Sequence, residues 1–181
     1  IKDAFERIEL FGTQDQGIYK YITELIDDPD LLQIHTNGLV DLPKDPSEFA
    51  KYGSTLILFD DLLDDSPKQL AKIVPYFVRG RHSGVSCLFQ SQSFFDVDRL
   101  IRKQVGYVFF KTLAVDDMSN IIRKYSVDLN KKEFRKLFLY ATKPTGGHKA
   151  NFLLMDLVTP DPDKMFRRNF REYLLAPENE E

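Results

Sequence analysis

The sequence predicts an α/β protein built on a mostly parallel sheet with helices on both faces, and three observations carry that prediction. Short apolar runs recur along the chain, at 55–59, 84–90, 106–113 and 150–158, each too short for a helix and rich in β-branched or aromatic residues. Between them lie segments whose apolar residues fall at helical spacing, so strands and helices alternate. Several runs are apolar on both alternating faces, the pattern of strands covered above and below rather than of a half-solvated antiparallel sheet.

Taken in order, "FERIELF" at 5–11 reads as a strand, and 18–27 as a helix with Ile18, Tyr21, Ile22 and Leu25 on one side; "LLQIHT" at 31–36 reads as a short strand. A loop with one helical turn, capped by Asp45 or Ser47, leads into the strand 55–60. Asp65 or Ser66 then caps a helix with Pro67 at its first position and Leu70, Ile73, Val74 and Phe77 inward, and Pro75 kinks it or ends it early. The runs 84–92 and 106–113 read as strands buried on both faces. Asn130 and Glu133 form a capping-box pair before a helix whose inward residues are Phe134, Leu137, Phe138 and Ala141. "PTGG" ends that helix and 150–158 is a last buried strand. From Pro160, an amphipathic helix is expected around Met165, Phe166, Phe170 and Leu174, and "APENEE" reads as a disordered tail. The organisation expected is one core over 1–160 and a helix with its tail over 161–181.

Composition excludes several classes of function. At 181 residues and 43% apolar content the chain supports one domain with a real core. A net charge of −3 announces neither a nucleic-acid coat nor a membrane surface. One cysteine, Cys87, rules out an internal disulfide, and with His35, His82 and His148 scattered it makes no zinc site; a soluble protein of a reducing compartment fits. No apolar run reaches the roughly 18 residues of a membrane helix, so no membrane partner is expected.

The chemistry centres on "LILFDD". In open α/β sheets ligands bind beyond the carboxyl ends of the strands, which is where Asp60 and Asp61 fall. A first carboxylate there can hold Mg²⁺, and a second, pointing elsewhere, can orient or deprotonate an attacking water. An acidic strand-to-helix turn is also an ordinary capping device, and Asp64 and Asp65 read as caps. The strand after it ends in Ser91, Gln92 and Ser93, and Gln92 can reach a γ-phosphate or its attacking water without adding charge, or be a simple turn residue. Arg79 and Arg81 flank Gly80 ahead of that strand; they are placed to act on a neighbouring subunit's site as an arginine finger, or are solvated charge.

"LILFDD" followed by "RGRHSGVSCLFQSQSFFDVDRLIRKQVGYVFFK" resembles the FtsK/HerA superfamily of DNA-pumping P-loop ATPases. The Arg-His dipeptide, "SQSFF", "NFLLMDL" and "FRRNF" are most similar to the genome-packaging ATPases of large eukaryotic DNA viruses, the poxvirus type, and their virophage and transposon relatives. The resemblance runs over roughly residues 5–171. It implies a three-layer RecA-like sheet, ATP and Mg²⁺ as cofactors, and translocation of double-stranded DNA into a capsid by a homo-oligomeric ring that meets capsid or portal proteins, in the virion or the infected cell. Carried onto this sequence, it makes Asp60 the magnesium aspartate, Asp61 the catalytic carboxylate, Gln92 the phosphate sensor and Arg81 the finger, with Arg79 as second choice. The alternatives are a filamentous-phage-type assembly ATPase and a non-catalytic relative that keeps the sheet as scaffold.

One departure stands out. The sequence has no G-x-x-x-x-G-K-[ST] phosphate loop: in "GTQDQGIYK", Ile18 and Tyr19 stand where Lys and Ser or Thr belong, and "GGHKAN" fails as well. The expectation is that this unit precedes the 5–11 strand, leaving the sheet incomplete at its N-terminus. Three basic clusters are candidate DNA contacts, Arg99/Arg102/Lys103, Lys131/Lys132/Arg135/Lys136 and Arg167/Arg168/Arg171, each reading first as a solvated helix face.

Overall fold

The computed structural model describes residues 4–14, 16–62, 66–125, 129–145 and 151–175, so Asp64, Asp65, His148 and the tail from 176 lie outside the described residues. The four apolar runs of the first hundred residues pair as parallel strands. β1 (Arg7–Gly12), β2 (Leu32–His35), β3 (Thr55–Asp60) and β4 (Val85–Gln90) form a sheet of order β2-β1-β3-β4, with Gly12, Asp60 and Gln90 in register at the carboxyl ends. Helix α1 (Gly17–Ile26) covers one face, its Ile22 and Ile26 meeting Ile8, Leu32, Leu56 and Leu58. On the other face, a 3₁₀ turn (Pro46–Tyr52), α2 (Pro67–Leu70) and α3 (Val74–Arg79) follow, and Phe59 packs against Tyr76 and Phe77 with ring centroids 6.1 and 6.2 Å apart.

The local signals acted as expected. Asp45 accepts from the Ser47 amide at 2.9 Å and Ser66 from the Gln69 amide at 3.3 Å, each satisfying an orphan N–H at a helix start. Pro75 does more than kink: without an N–H, it cannot bond back into the preceding turn, so the expected single helix becomes α2 and α3. Tyr76, absent from the expected inward face, is buried there and donates to the Pro43 carbonyl at 2.6 Å. Helix α4 (Arg99–Gln104) closes this unit, residues 1–104.

Residues 105–181 form a second compact unit. The reason is pairing: the parallel sheet ends at β4, while β5 (Tyr107–Phe110), β6 (Leu153–Asp156), β7 (Phe166–Arg168) and β8 (Glu172–Tyr173) make an antiparallel sheet in that order. Helices α5 (Val115–Tyr125) and α6 (Lys131–Thr142) accompany it, and Phe110, Phe134, Phe138, Leu153, Met155 and Phe166 fill its core. The capping box is formed, with Asn130 accepting from the Lys132 and Glu133 amides and Glu133 accepting from the Asn130 amide.

Three expectations fail in instructive ways. The amphipathic helix expected from Met165 to Leu174 is the β7–β8 hairpin: β6 offers partners to Phe166 through Arg168, and Asn169 at φ +55° makes the turn while its side chain receives the Phe152 amide. β4 and β5 are not buried on both faces, because each is the last strand of its sheet: Ser86, Leu88 and Gln90 are exposed, Leu88 by 40%, as are Tyr107 and Phe109. Helix α5 was not anticipated, although Met118, Ile121, Ile122 and Tyr125 are buried at the spacing i, i+3, i+4, i+7.

Candidate active site at the carboxyl end of the parallel sheet

β3 delivers Asp60 to the end of the sheet between Gly12 of β1 and Gln90 of β4. Asp61 follows at φ +50°, in the left-handed region that Asp tolerates better than most side chains, and its amide donates to the Gln90 carbonyl at 3.1 Å. That reversal breaks the alternation of the strand, so the two carboxylates take different partners. Gln92 Nε2 donates to Asp61 Oδ2 at 2.7 Å. The Ser91 hydroxyl holds the loop by donating to the Ser93 carbonyl at 2.8 Å and accepting from the Ser93 amide at 3.1 Å. Asp60, Asp61 and Gln92, singled out by sequence, are thus brought together.

Sequence reasoning missed Tyr19, noted only as a residue in the wrong place for a phosphate loop. Its hydroxyl donates to Asp60 Oδ2 at 2.6 Å, and the side chain, 2% exposed, lies over Gly12. A Cβ on Gly12 would collide with that hydroxyl and lie 3.1 Å from Cζ, so the bare glycine is what lets Tyr19 reach the carboxylate. The only sequence signal was the Gly12-to-Gly17 spacing ahead of α1; the link to Asp60 comes from strand register.

Arg81 and Arg79 are not part of this cluster. They precede β4, whose first residue pairs with Thr55 at the start of β3, so they lie at the amino edge, about 20 Å of strand away. Arg79 donates to Asp45 at 3.2 Å, whereas exposed Arg81 has no ion-pair partner among the described residues. A second charged cluster is structural. Buried Glu9 accepts from Arg7 at 2.7 Å and lies 2.6 Å from His35 Nε2, while His35 stacks on Phe11 at 4.4 Å and faces Asp41 at 3.6 Å. The Glu9 hydrogen bond raises the His35 pKa; burial opposes ionisation of Glu9, but hydrogen bonds from His35 and Arg7 outweigh it and hold its carboxyl below the usual range.

Among the described residues no cluster of three metal-ligating side chains exists and no helix is long and apolar enough to cross a membrane. Mg²⁺ in phosphoryl-transfer sites needs no such cluster, since it binds through one or two carboxylates, waters and substrate phosphates. Asp60 fits that demand: one oxygen is oriented by Tyr19, and the other carries no hydrogen bond among the described residues. The sequence carries no G-x-x-x-x-G-K-[ST] motif to cradle the phosphates of ATP.

Comparison with known proteins bears on the fold and the family. The genome packaging NTPase B204 from Sulfolobus turreted icosahedral virus 2, in complex with ATP-gammaS, is 14% identical and superposes with a TM-score of 0.54 over 97% of this chain and 84% of its own. The sulfate complex of the same protein gives 15% identity, 96% and 84% coverage and a TM-score of 0.55. B204, the DNA-packaging ATPase from Sulfolobus Turreted Icosahedral Virus, gives 14%, 90% and 80%, and 0.55. These likenesses establish the packaging-NTPase fold, and with it the α/β class expected from the sequence. A search of curated proteins found no significant match. A family model, Poxvirus A32 protein, matches residues 31–159, a span that includes β3, Asp60, Asp61 and the strand ending before Gln92, and the chain therefore belongs to the Poxvirus A32 protein family.

Proposed function

We propose that this protein is the ATP-hydrolysing motor that drives double-stranded DNA into a viral capsid. The observation that carries this reading is the pair of carboxylates at the end of β3, with Gln92 on Asp61, inside a chain of the A32 family. Asp60, steadied by Tyr19, is the residue that would hold Mg²⁺, which when bound neutralises charge on the phosphates. Asp61 orients the attacking water, and Gln92, hydrogen-bonded to it, couples that carboxylate to the γ-phosphate. The sequence carries no P-loop motif to cradle the phosphates, and among the described residues β4 is the last strand of its sheet, with Ser86, Leu88 and Gln90 exposed on it. Arg81, without an ion-pair partner among the described residues and at the amino edge of the sheet, away from its own site, acts on the neighbouring subunit of a homo-oligomeric ring.

The deciding experiment separates nucleotide binding from turnover in the full-length protein. Asp61→Asn keeps the left-handed backbone, which Asn also tolerates, and removes only the charge; it should bind Mg²⁺-ATP as the unsubstituted protein does and lose hydrolysis. Asp60→Ala should weaken Mg²⁺-dependent binding and abolish turnover together. Equal hydrolysis rates for Asp61→Asn and the unsubstituted protein would reject the assignment.

A further inference from the structure

The antiparallel unit carries an arrangement of charge that its own fold does not explain. Helices α5 and α6 are in contact, with Met118, Ile121, Ile122, Phe134 and Phe138 among their buried residues, and a cleft of about 400 Å³ is lined by Ser119, Asn120, Ile122, Arg123, Lys131, Lys132 and Arg135. Four cations from two helices therefore border one cleft. Among the described residues none of the four forms an ion pair, and Arg123 donates only to the neutral Asn120 side chain, at 3.2 Å. Of the acids nearby in sequence, the Glu133 carboxylate turns back to the Asn130 amide at 3.2 Å, Asp116 and Asp117 lie in the first turn of α5, well before Arg123, and Asp128 lies outside the described residues.

This placement is costly in the protein alone. Lys131 and Lys132 occupy the first turn of α6, where the positive end of the helix dipole makes a cation unfavourable by about 0.3–1 kcal/mol. Lys131 with Arg135, and Lys132 with Arg135, are like-charge pairs at i,i+4 and i,i+3, each unfavourable by roughly 0.2–0.5 kcal/mol. An anion in the cleft offsets these terms, since it attracts each cation and the positive end of the α6 dipole. The lining also indicates what kind of anion. It offers no aromatic face for a base and is open along the helix seam, and its neutral members, Ser119 and Asn120, suit phosphate and sugar oxygens.

We propose that the α5–α6 cleft is a contact surface for the sugar–phosphate backbone of duplex DNA, with Arg123, Lys132 and Arg135 neutralising phosphates. The choice of DNA as the anion rests on the reading of the chain as a packaging motor. The contact is sequence-independent, as a motor that moves along any sequence requires.

The test measures binding of a short mixed-sequence duplex by the full-length protein across a salt series. Each lost phosphate contact lowers the slope of log affinity against log salt by roughly 0.9, so the triple variant Arg123→Ala, Lys132→Ala, Arg135→Ala should lose about 2.7 and bind on the order of a hundredfold more weakly at moderate salt. The variant Arg123→Lys, Lys132→Arg, Arg135→Lys should restore the slope, and the pair Lys68→Ala, Lys72→Ala, in the other unit, should leave it unchanged. An unchanged slope in the triple variant overturns the cleft while leaving the motor reading intact. The cleft is equally overturned if the Lys68/Lys72 pair loses as much, or if the triple variant loses pyrophosphate or ATP binding but keeps the duplex. Failure of the unsubstituted protein to bind duplex at all overturns the cleft and the motor reading together.

Discussion

Replacing Gly12 by alanine sets a methyl group against the hydroxyl of Tyr19, and the structure allows the consequence to be sized. The tyrosine is 2% exposed, so its ring has little room to retreat, and any shift large enough to clear the methyl breaks its 2.6 Å bond to Asp60. A hydrogen bond to a charged group is worth about 1.5–3 kcal/mol, and overpacking a filled site costs about 1–3 kcal/mol. Gly12→Ala alone should therefore destabilise the parallel unit by roughly 2.5–6 kcal/mol. Tyr19→Phe removes the bond and the colliding atom together. In that background only the ring carbons remain in the way, at 3.1 and 3.3 Å from the added Cβ, and the alanine should cost about 1 kcal/mol. Urea denaturation of the four proteins in this cycle, followed by circular dichroism, should then show strongly sub-additive losses. Additivity within about 0.5 kcal/mol would mean that glycine and tyrosine do not communicate, and the positioning role of Tyr19 would fall with it.

The trans role of Arg81 predicts complementation: Arg81→Ala and Asp61→Asn subunits, each inactive, should regain hydrolysis when mixed, because some interfaces then join an intact site to an intact finger worth about 10³ or more in rate. A co-assembled mixture that stays inactive shifts the role to Arg79 or dismisses the ring. The His35–Glu9 pair predicts a stability maximum in mildly acidic solution. With its pKa raised above 6.5, His35 contributes fully below that value and loses its contribution as pH rises through the folded pKa; Glu9, lowered from 4.5, contributes above that value and fails as pH falls through its folded pKa. Thermal melts across pH should show both limbs, and His35→Gln should flatten the alkaline one. Burial pushes the Cys87 thiol up to about 12, so alkylation of the native protein at neutral pH should be slow and become fast only on unfolding.

Much of the parallel unit was legible because its signals are local. A run such as Thr55–Phe59 is too short and too β-branched to be anything but a strand, and the Asp pair after it falls where α/β sheets place their ligands. The Asn130–Glu133 box and the Ser66–Pro67 start were equally plain, since each cap is decided within four residues. What escaped depends on pairing at a distance. The spacing of Phe166, Phe170 and Leu174 suits a helix, and only the edge offered by β6 turns that segment into a hairpin. Burial of β4 and β5 was overstated for the same reason: apolar sequence tells that a strand wants cover, not which neighbours provide it. Tyr19 escaped most completely, because a lone tyrosine on a helix reads as core until Gly12 and Asp60 are known to lie side by side.

The open flank of β4 bears on how this protein survives its own synthesis. "VSCLFQ" is six residues without a charge or a proline, and among the described residues its outer row of backbone N–H and C=O groups is unpaired, with Leu88 facing solvent. Proteins ordinarily guard such an edge with a lysine, a proline or a bulge, and this one has none of them on the strand. Strands of this composition stack readily on copies of themselves. Any truncated or misassembled product in which β4 lacks a covering strand is therefore a seed for aggregation, so the strand that leads into Gln92 is also the one most hazardous to leave uncovered.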